Sequence, residues 1–404
     1  MAERDSTPTG VERPGEPDAA LGRYDGAAGG LDALKSVARA AREQGAPAAI
    51  ARALLDANQP EGFDCPGCAW PDPDHRSSFE FCENGAKAVA WEATPRRAGP
   101  DFWTAHTVTA LRGWTDHALE SQGRLTHPLR YDAPTDRYRP ASWDEAYAAI
   151  AARLRSIRDA NGPDACAFYT SGRASNEAAF LWQLYARCFG TSNLPDCSNL
   201  CHEATSVGLP RSLGVGKGTV TLDDFDATGL LLSFGHNPGT NHPRMLATLR
   251  RMALRGCPIV VFNPLRERGL ERFRSPQHPR DYVSPRGVEL ATHYYQPRIG
   301  SDPLVLQGLM KRLLELDAER GGVVDREFVA AHTRGYAALE AALAATAWDE
   351  IHAATGLGAE VYDAVARLYA AAPAAIVAYG MGVTQHAHGT KCVQQIANLL
   401  LLRG

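Results

Sequence analysis

The sequence predicts an α/β protein: a small cysteine-bearing segment of short strands, then a doubly wound, mostly parallel sheet. Two observations carry this prediction. From residue 140 onward, strand-length apolar runs alternate with helix-length amphipathic segments, the pattern of strand–helix–strand units in parallel sheets. Before that point, residues 60–130 gather three cysteines, Trp70, Trp91, Trp103 and Trp114, and many turn residues, a composition suited to short elements packed around a bound group.

Residues 1–30 are rich in Gly, Pro and charge and read as disordered. Residues 31–57 carry helical periodicity, broken at Gly45 and Pro47. Ser142 is placed to cap a helix, with Glu145 completing a capping box. "DACAFYT" (164–170) reads as a buried strand, and 176–190 as a helix stopped by Gly190. Buried strands are expected in 227–237, 257–264 and 374–380, with helices over 242–256 and 301–317 and an apolar helix after 391. At 404 residues the chain exceeds one ordinary core. The divisions expected are an extension at 1–58, a cysteine-cluster domain at 59–139 and an α/β region at 140–404.

Composition narrows the function classes. A net charge of -4 argues against nucleic acid as the main partner. No apolar run reaches the roughly 18–20 residues that span a bilayer, so a membrane-spanning role is not expected. The polar N-terminus has neither an apolar signal core nor twin arginines, which points to the cytoplasm. Structural disulfides are not expected there, so the nine cysteines read as metal ligands, reactive thiols or small core residues.

Cys65 and Cys68 form a Cys-x2-Cys pair, and Cys82 is a natural third ligand for a soft metal site. His75 is a candidate fourth ligand. Spacing alone leaves zinc and an iron–sulfur cluster both open. A second pair, Cys197 and Cys201, lies between two helical segments, and Cys201 is followed by His202. A thiolate near a helix start is favoured, and a neighbouring imidazole can shuttle a proton. Four further loops, "SFGHNPGTNHP", "VFNPLRERG", "YYQPRIGSDP" and "YGMGVTQHAHG", fall at strand ends or helix starts, where open α/β sheets bind nucleotides. Gly235, Gly239 and Gly300 would let backbone approach phosphates, and Arg266, Arg268 and Arg298 would pair with them.

Taken together, "CPGCAWPDP", "FEFCENGAKA", "CSNLCHEATSVGL", "GHNPGTNHP", "FNPLRERG", "QPRIGSD" and "GMGVTQ" resemble the N-terminal half of molybdopterin-guanine-dinucleotide oxidoreductases of the formate-dehydrogenase alpha-subunit type. Within that family the sequence is most similar to a clade associated with acid resistance. The resemblance runs from about Gly62 to the last residue. It implies a 4Fe-4S cluster held by Cys65, Cys68 and Cys82, with Lys87 between cluster and pterin. The family pattern has four cysteines where this stretch has three, so the fourth ligand stays open. The resemblance also implies molybdenum bis(molybdopterin guanine dinucleotide), with Cys201 as metal ligand and His202 as acid/base. Asn237, His242, Asn263, Arg266, Arg298, Ser301, Asp302 and Gln385 fall on its cofactor-binding loops.

The activity implied by the resemblance is a two-electron oxidation of a small-molecule substrate, formate being the one suggested, with electrons relayed to an acceptor protein or subunit. The family continues past the position of Gly404 into a loop with a catalytic arginine and a second nucleotide-binding region. The C-terminal half is therefore expected to be missing, and the chain to be a truncated or split subunit. The alternatives are a non-catalytic cofactor-binding or interaction subunit and a zinc-stabilised α/β protein.

Overall fold

The computed structural model describes residues 24–68, 70–74, 77–172, 174–284 and 286–404; His75 and most of the segment expected to be disordered lie outside them. Contacts divide the chain into two units. One comprises Met1–Asp25, Lys35–Gly67 and Ser77–Pro195, the other Gly26–Leu34, Cys68–Arg76 and Asp196–Gly404.

The break anticipated at Gly45 and Pro47 separates α1 (Gly30–Glu43), which belongs to the first unit from Lys35 on, from α2 (Pro47–Asp56). Gly45 takes φ +77° between them, and Pro47 opens α2, where its missing N–H does no harm. A third helix, α3 (Glu83–Glu92), packs Ala86, Val89 and Ala90 against Ile50, Leu54 and Cys65. More of residues 60–130 is helical than expected, with further short helices at Pro100–Ala105, Val108–Leu111 and Asp116–Glu120. Local caps explain the last two: Thr107 and Thr115 each accept from a backbone N–H three residues on. A hairpin of β1 (Leu129–Asp132) and β2 (Arg137–Pro140) turns through Asp136 at φ +50°. The predicted capping box of Ser142 and Glu145 opens α4 (Trp143–Asn161).

Residues 164–170 depart from the sequence expectation. Pro163–Ala165 is a 3-10 turn and the rest is extended but not a regular buried strand. Phe168 N–H donates to Asn193 O at 2.9 Å and Thr170 N–H to Pro195 O at 3.4 Å. Of this run only Phe168 is buried. The helix between the two extended stretches, α5 (Asn176–Phe189), ends as predicted at Gly190, φ +111°.

In the second unit four strands form one parallel sheet: β3 (Leu230–Phe234), β4 (Ile259–Phe262), β5 (His293–Tyr295) and β6 (Ala375–Tyr379). Their spatial order is β5-β4-β3-β6. Leu231, Ile259 and Val261 face a core completed by α7 (Met245–Leu254). Leu230, Leu232, Phe234, Val260 and Phe262 join the opposite core. That second core is supplied by α6 (Cys197–Leu213), α8 (Asp302–Arg320), α9 (Ala359–Ala371) and α10 (Gly389–Leu401). Burial on both faces explains why these strands are continuous apolar runs. Each fully buried Leu or Ile contributes about 1.5–3 kcal/mol of transfer free energy. Strand β5 escapes prediction because "HYY" is short and only partly buried. Among the described residues no helix is long and apolar enough to cross a membrane.

Candidate active site

Strand order locates the site. The connections β3 to β4 to β5 step one way across the sheet, and β6 then returns to the other side of β3. The C-terminal ends of β3 and β6 therefore flank the topological switch point, where open α/β sheets bind ligands. The loops leaving them are joined by backbone. Gly380 N–H donates to Phe234 O and Gly382 N–H to Gly235 O, both at 3.1 Å. A Cβ on Gly382 would lie 2.8 Å from the Cα of Gly235. Gly239 likewise abuts Gly269, where a Cβ would meet the Gly269 Cα at 3.0 Å. The room left by Gly235 and Gly239 is thus filled by neighbouring backbone. Gly300, by contrast, at φ +80°, has no described residue beyond its chain neighbours within 4 Å of an added Cβ.

Helix α6 lies over this switch point. Asp196 caps it by accepting from Asn199 N–H at 2.8 Å, which makes Cys197 its first residue. Cys201 sits one turn on, at a break where His202 leaves helical geometry at φ -132°, ψ 24°. Two carbonyls at the break are held from beyond β6. Thr384 Oγ1 donates to Cys201 O at 2.7 Å and Gln385 Nε2 to Leu200 O at 2.8 Å. Tyr379, the last residue of β6, shares a hydrogen bond with Thr205 at 3.0 Å, and Thr205 lies 3.4 Å from His202 Nδ1. Cys201 and His202 are both half-buried.

Three histidines gather electrostatically beside this break. His236 Nε2 and His242 Nδ1 are 2.9 Å apart, a pair in which one ring donates to the other. His236 is only 7% exposed, and its Nδ1 is buried without a partner among the described residues. Burial, then the neighbouring His242 and His202, pushes its pKa down to about 4. Burial also lowers His202, with His242 adding to the effect. His242 is lowered by burial, against an opposing influence from Cys68. Each shift favours the neutral form of its ring. A half-buried thiol next to the His202 imidazole suits a soft, sulfur-seeking metal.

The remaining predicted residues of this unit have partners close by. Asn237 Oδ1 accepts from Thr240 N–H at 3.3 Å, and Asn263 Nδ2 donates to Leu265 O at 2.7 Å. Ser301 Oγ donates to Arg298 O at 2.6 Å, and the Arg298 guanidinium donates to Ala353 O. Asp302 is buried, and desolvation raises its pKa. Arg266 is paired with Glu271 at 2.6 Å and stands 5.0 Å from the Tyr294 ring centroid. It lines a cleft of about 260 Å³ with Arg268, Glu271, Arg272, Glu289 and Tyr294. An incoming phosphate there would compete with Glu271 for the guanidinium.

In the first unit, Cys82 caps α3, its Sγ accepting from Gly85 N–H at 3.3 Å. Cys65 is buried and its N–H is held by Asn58 Oδ1 at 3.0 Å. A Cβ on Gly85 would stand 3.1 Å from Cys65 Sγ and 3.6 Å from Cys82 Sγ. Glycine at 85 therefore clears one pocket for two of the predicted ligands. Lys87, one turn along α3, is paired with Glu83 at 2.7 Å. Cys68 belongs to the second unit. Among the described residues no group of three or more His, Cys, Asp or Glu side chains is set to hold a metal ion.

Sequence reasoning did not single out His236, Tyr379, Thr205 or Thr384. A second histidine six residues before His242 was a usable signal for the pair. Nothing local marks Thr384 as a partner for a helix some 180 residues away.

Residues 124–282 match the family described as molybdopterin oxidoreductase. The chain is 52% identical to Protein YdeP of Escherichia coli over 386 residues, covering 94% of this chain and 50% of that protein. It is 29% identical to formate dehydrogenase H of Escherichia coli over 283 residues, covering 70% of this chain and 36% of that one. Among solved structures it resembles acetylene hydratase from Pelobacter acetylenicus, with a TM-score of 0.50 and 20% identity over 66% of this chain and 33% of that chain. The chain therefore spans half or less of these proteins, and the last likeness speaks for the α/β fold alone.

Proposed function

We propose that this chain is the thiolate-bearing part of a cytoplasmic, molybdopterin-dependent oxidoreductase whose substrate is formate. The observation that carries the reading is Cys201 at a helix break over the switch point of the parallel sheet, next to His202 and with the break held by Thr384 and Gln385. The family match over 124–282 and the likeness to formate dehydrogenase H support it.

Cys201 is the residue we assign as ligand to molybdenum bis(molybdopterin guanine dinucleotide). Asn237, His242, Asn263, Arg266, Arg298, Ser301, Asp302 and Gln385 are assigned to its binding loops. Cys65, Cys68 and Cys82 are assigned, on their spacing, to a 4Fe-4S cluster in a domain of residues 59–139, with Lys87 toward the pterin. When bound, these groups supply the electron chemistry. The protein's own residues supply the rest. Formate oxidation yields carbon dioxide, a proton and an electron pair. Neutral His202 accepts the proton, Thr205 orients its ring from the Nδ1 side, and Thr384 and Gln385 hold the backbone that aims Cys201. A cluster held by Cys65, Cys68 and Cys82 would supply the route by which the electron pair reaches an acceptor protein.

The test is metal analysis of the chain purified from molybdate-supplied cells, with dye-linked formate oxidation. About one molybdenum and about four irons per chain are expected. Cys201→Ser should abolish formate oxidation while the iron stays. Stoichiometric zinc with neither molybdenum nor iron, or full activity in Cys201→Ser, would overturn the proposal.

A further inference from the structure

Asn58 stands just past the end of α2 in the left-handed region, at φ +57°, and is only 4% exposed. A left-handed residue after a helix is a place that glycine fills at no steric cost. What asparagine adds is its amide, and both ends of that amide are engaged. Asn58 Oδ1 accepts from Cys65 N–H at 3.0 Å, and Asn58 Nδ2 donates to Glu80 O at 2.5 Å. The two partners fix which end is which, since an N–H needs an acceptor and a carbonyl needs a donor. The backbone is held as well, Asn58 N–H donating to Phe63 O at 2.7 Å. The next residue adds a second link, from Gln59 Nε2 to Ser77 O at 2.8 Å.

These bonds join two segments of the first unit that each carry a thiol. Cys65 lies on one, and Cys82, two residues past Glu80, on the other. Glycines keep the space beside the thiols clear. A Cβ on Gly85 would stand 3.1 Å from Cys65 Sγ and 3.6 Å from Cys82 Sγ, and one on Gly67 would stand 3.3 Å from Cys65 Sγ. One buried amide thus ties the backbone near one sulfur to the backbone near the other. An amide engaged at both ends is a strut rather than a ligand.

We infer that Asn58 is the positioning residue of this thiol pair: it sets the spacing at which Cys65 and Cys82 take a soft metal together, before the metal arrives. Groups that orient the ligands of a metal in advance raise its affinity. A buried, left-handed asparagine is a strained choice that its surroundings must hold, a kind of feature that gathers at functional sites. The inference rests on the assignment of both cysteines to one metal group, and on neither Cys201 nor formate.

Cadmium titration of the reduced, iron-free chain tests it, read by the thiolate-to-cadmium absorption in the ultraviolet. The chain has nine cysteines, so this pocket's share is the signal that Cys82→Ser removes. Asn58→Gly keeps the left-handed turn and deletes the amide. It should weaken that share's cadmium affinity about tenfold or more, since two hydrogen bonds are lost. Ile50→Val, a truncation in the core that contains Cys65, should lower the melting temperature without weakening the affinity. Asn58→Asp keeps an acceptor for Cys65 N–H but no donor for Glu80 O, and should fall between wild type and Asn58→Gly. An Asn58→Gly affinity equal to wild type overturns the inference. So does a loss no greater than in Ile50→Val, or a wild-type signal that Cys82→Ser leaves unchanged. Should Asn58→Gly not fold, Asn58→Asp decides, and wild-type affinity there overturns it. Reconstitution with iron and sulfide separates this from the catalytic reading: a chain whose cadmium affinity depends on Asn58 but which takes up no iron loses the cluster and keeps the positioning role.

Discussion

Replacing Gly382 by alanine tests whether the two switch-point loops are welded by backbone. The added Cβ would sit 2.8 Å from both the Cα and the O of Gly235 and 3.1 Å from its carbonyl carbon. The two 2.8 Å distances are about 0.6 Å short of ordinary contact. The atoms in the way are backbone, so no side-chain rotation relieves the clash. Gly235 cannot retreat freely, because it is held at φ +50° and bonded through its O to Gly382 N–H. Overpacking of this kind costs roughly 1–3 kcal/mol. Loss of the loop-to-loop hydrogen bond adds about 0.5–1.5 kcal/mol. Together they predict a loss of about 2–4 kcal/mol in urea denaturation followed by circular dichroism. Gly218→Ala is the control, since no described residue beyond its chain neighbours comes within 4 Å of its added Cβ and its φ is ordinary. It should be neutral, or stabilise by up to about 1 kcal/mol through the unfolded chain. The same clash pushes on His236, whose neighbour Gly380 belongs to the same loop, so the imidazole nitrogen shifts of the His236–His242 pair should move in Gly382→Ala alone. A Gly382→Ala protein within about 0.5 kcal/mol of wild type, with unchanged imidazole shifts, refutes the reasoning.

Four other outcomes rest on the same geometry. Asp317 is buried, which by itself raises its pKa, but the Val324 and Val323 N–H groups and Arg326 outweigh this and hold it below the ordinary carboxylate value. Its stabilisation is therefore present above about pH 4 and lost as pH falls through the lower folded value; Asp317→Asn should flatten that acid limb in a pH series of melts. Arg250 makes two hydrogen bonds to Asp281, which also accepts from Ser275 N–H; Arg250→Ala strands a buried carboxylate and should cost about 3–5 kcal/mol in chemical denaturation. Thr384→Val removes the donor to Cys201 O; stability should fall by about 0.5–1.5 kcal/mol and amide exchange should quicken around residues 201–206. Gly85→Ala favours α3 by up to about 1 kcal/mol while crowding Cys65 and Cys82; iron content should drop although the iron-free protein melts no earlier, and undiminished iron would count against a shared thiol pocket.

Residues 230–262 show what a sequence discloses well. Leu230, Leu231 and Leu232 are buried on both faces of the sheet, so a continuous apolar run is both the local signal and the tertiary fact. The capping box at Ser142 and the stop at Gly190 were legible for the same reason: each is decided within four residues. The break at His202 was not. Nothing in "NLCHEATS" opposes a helix, and the groups that engage the Leu200 and Cys201 carbonyls come from Thr384 and Gln385. The glycines misled in an instructive way. A glycine after a strand reads as room for a phosphate, but at Gly235 and Gly239 the room is taken by Gly382 and Gly269. From sequence alone, a glycine that admits a ligand and one that admits another loop look the same. The stretch 164–170 fails in the opposite sense. Its composition specifies a buried strand, while the described residues around it bury little of it.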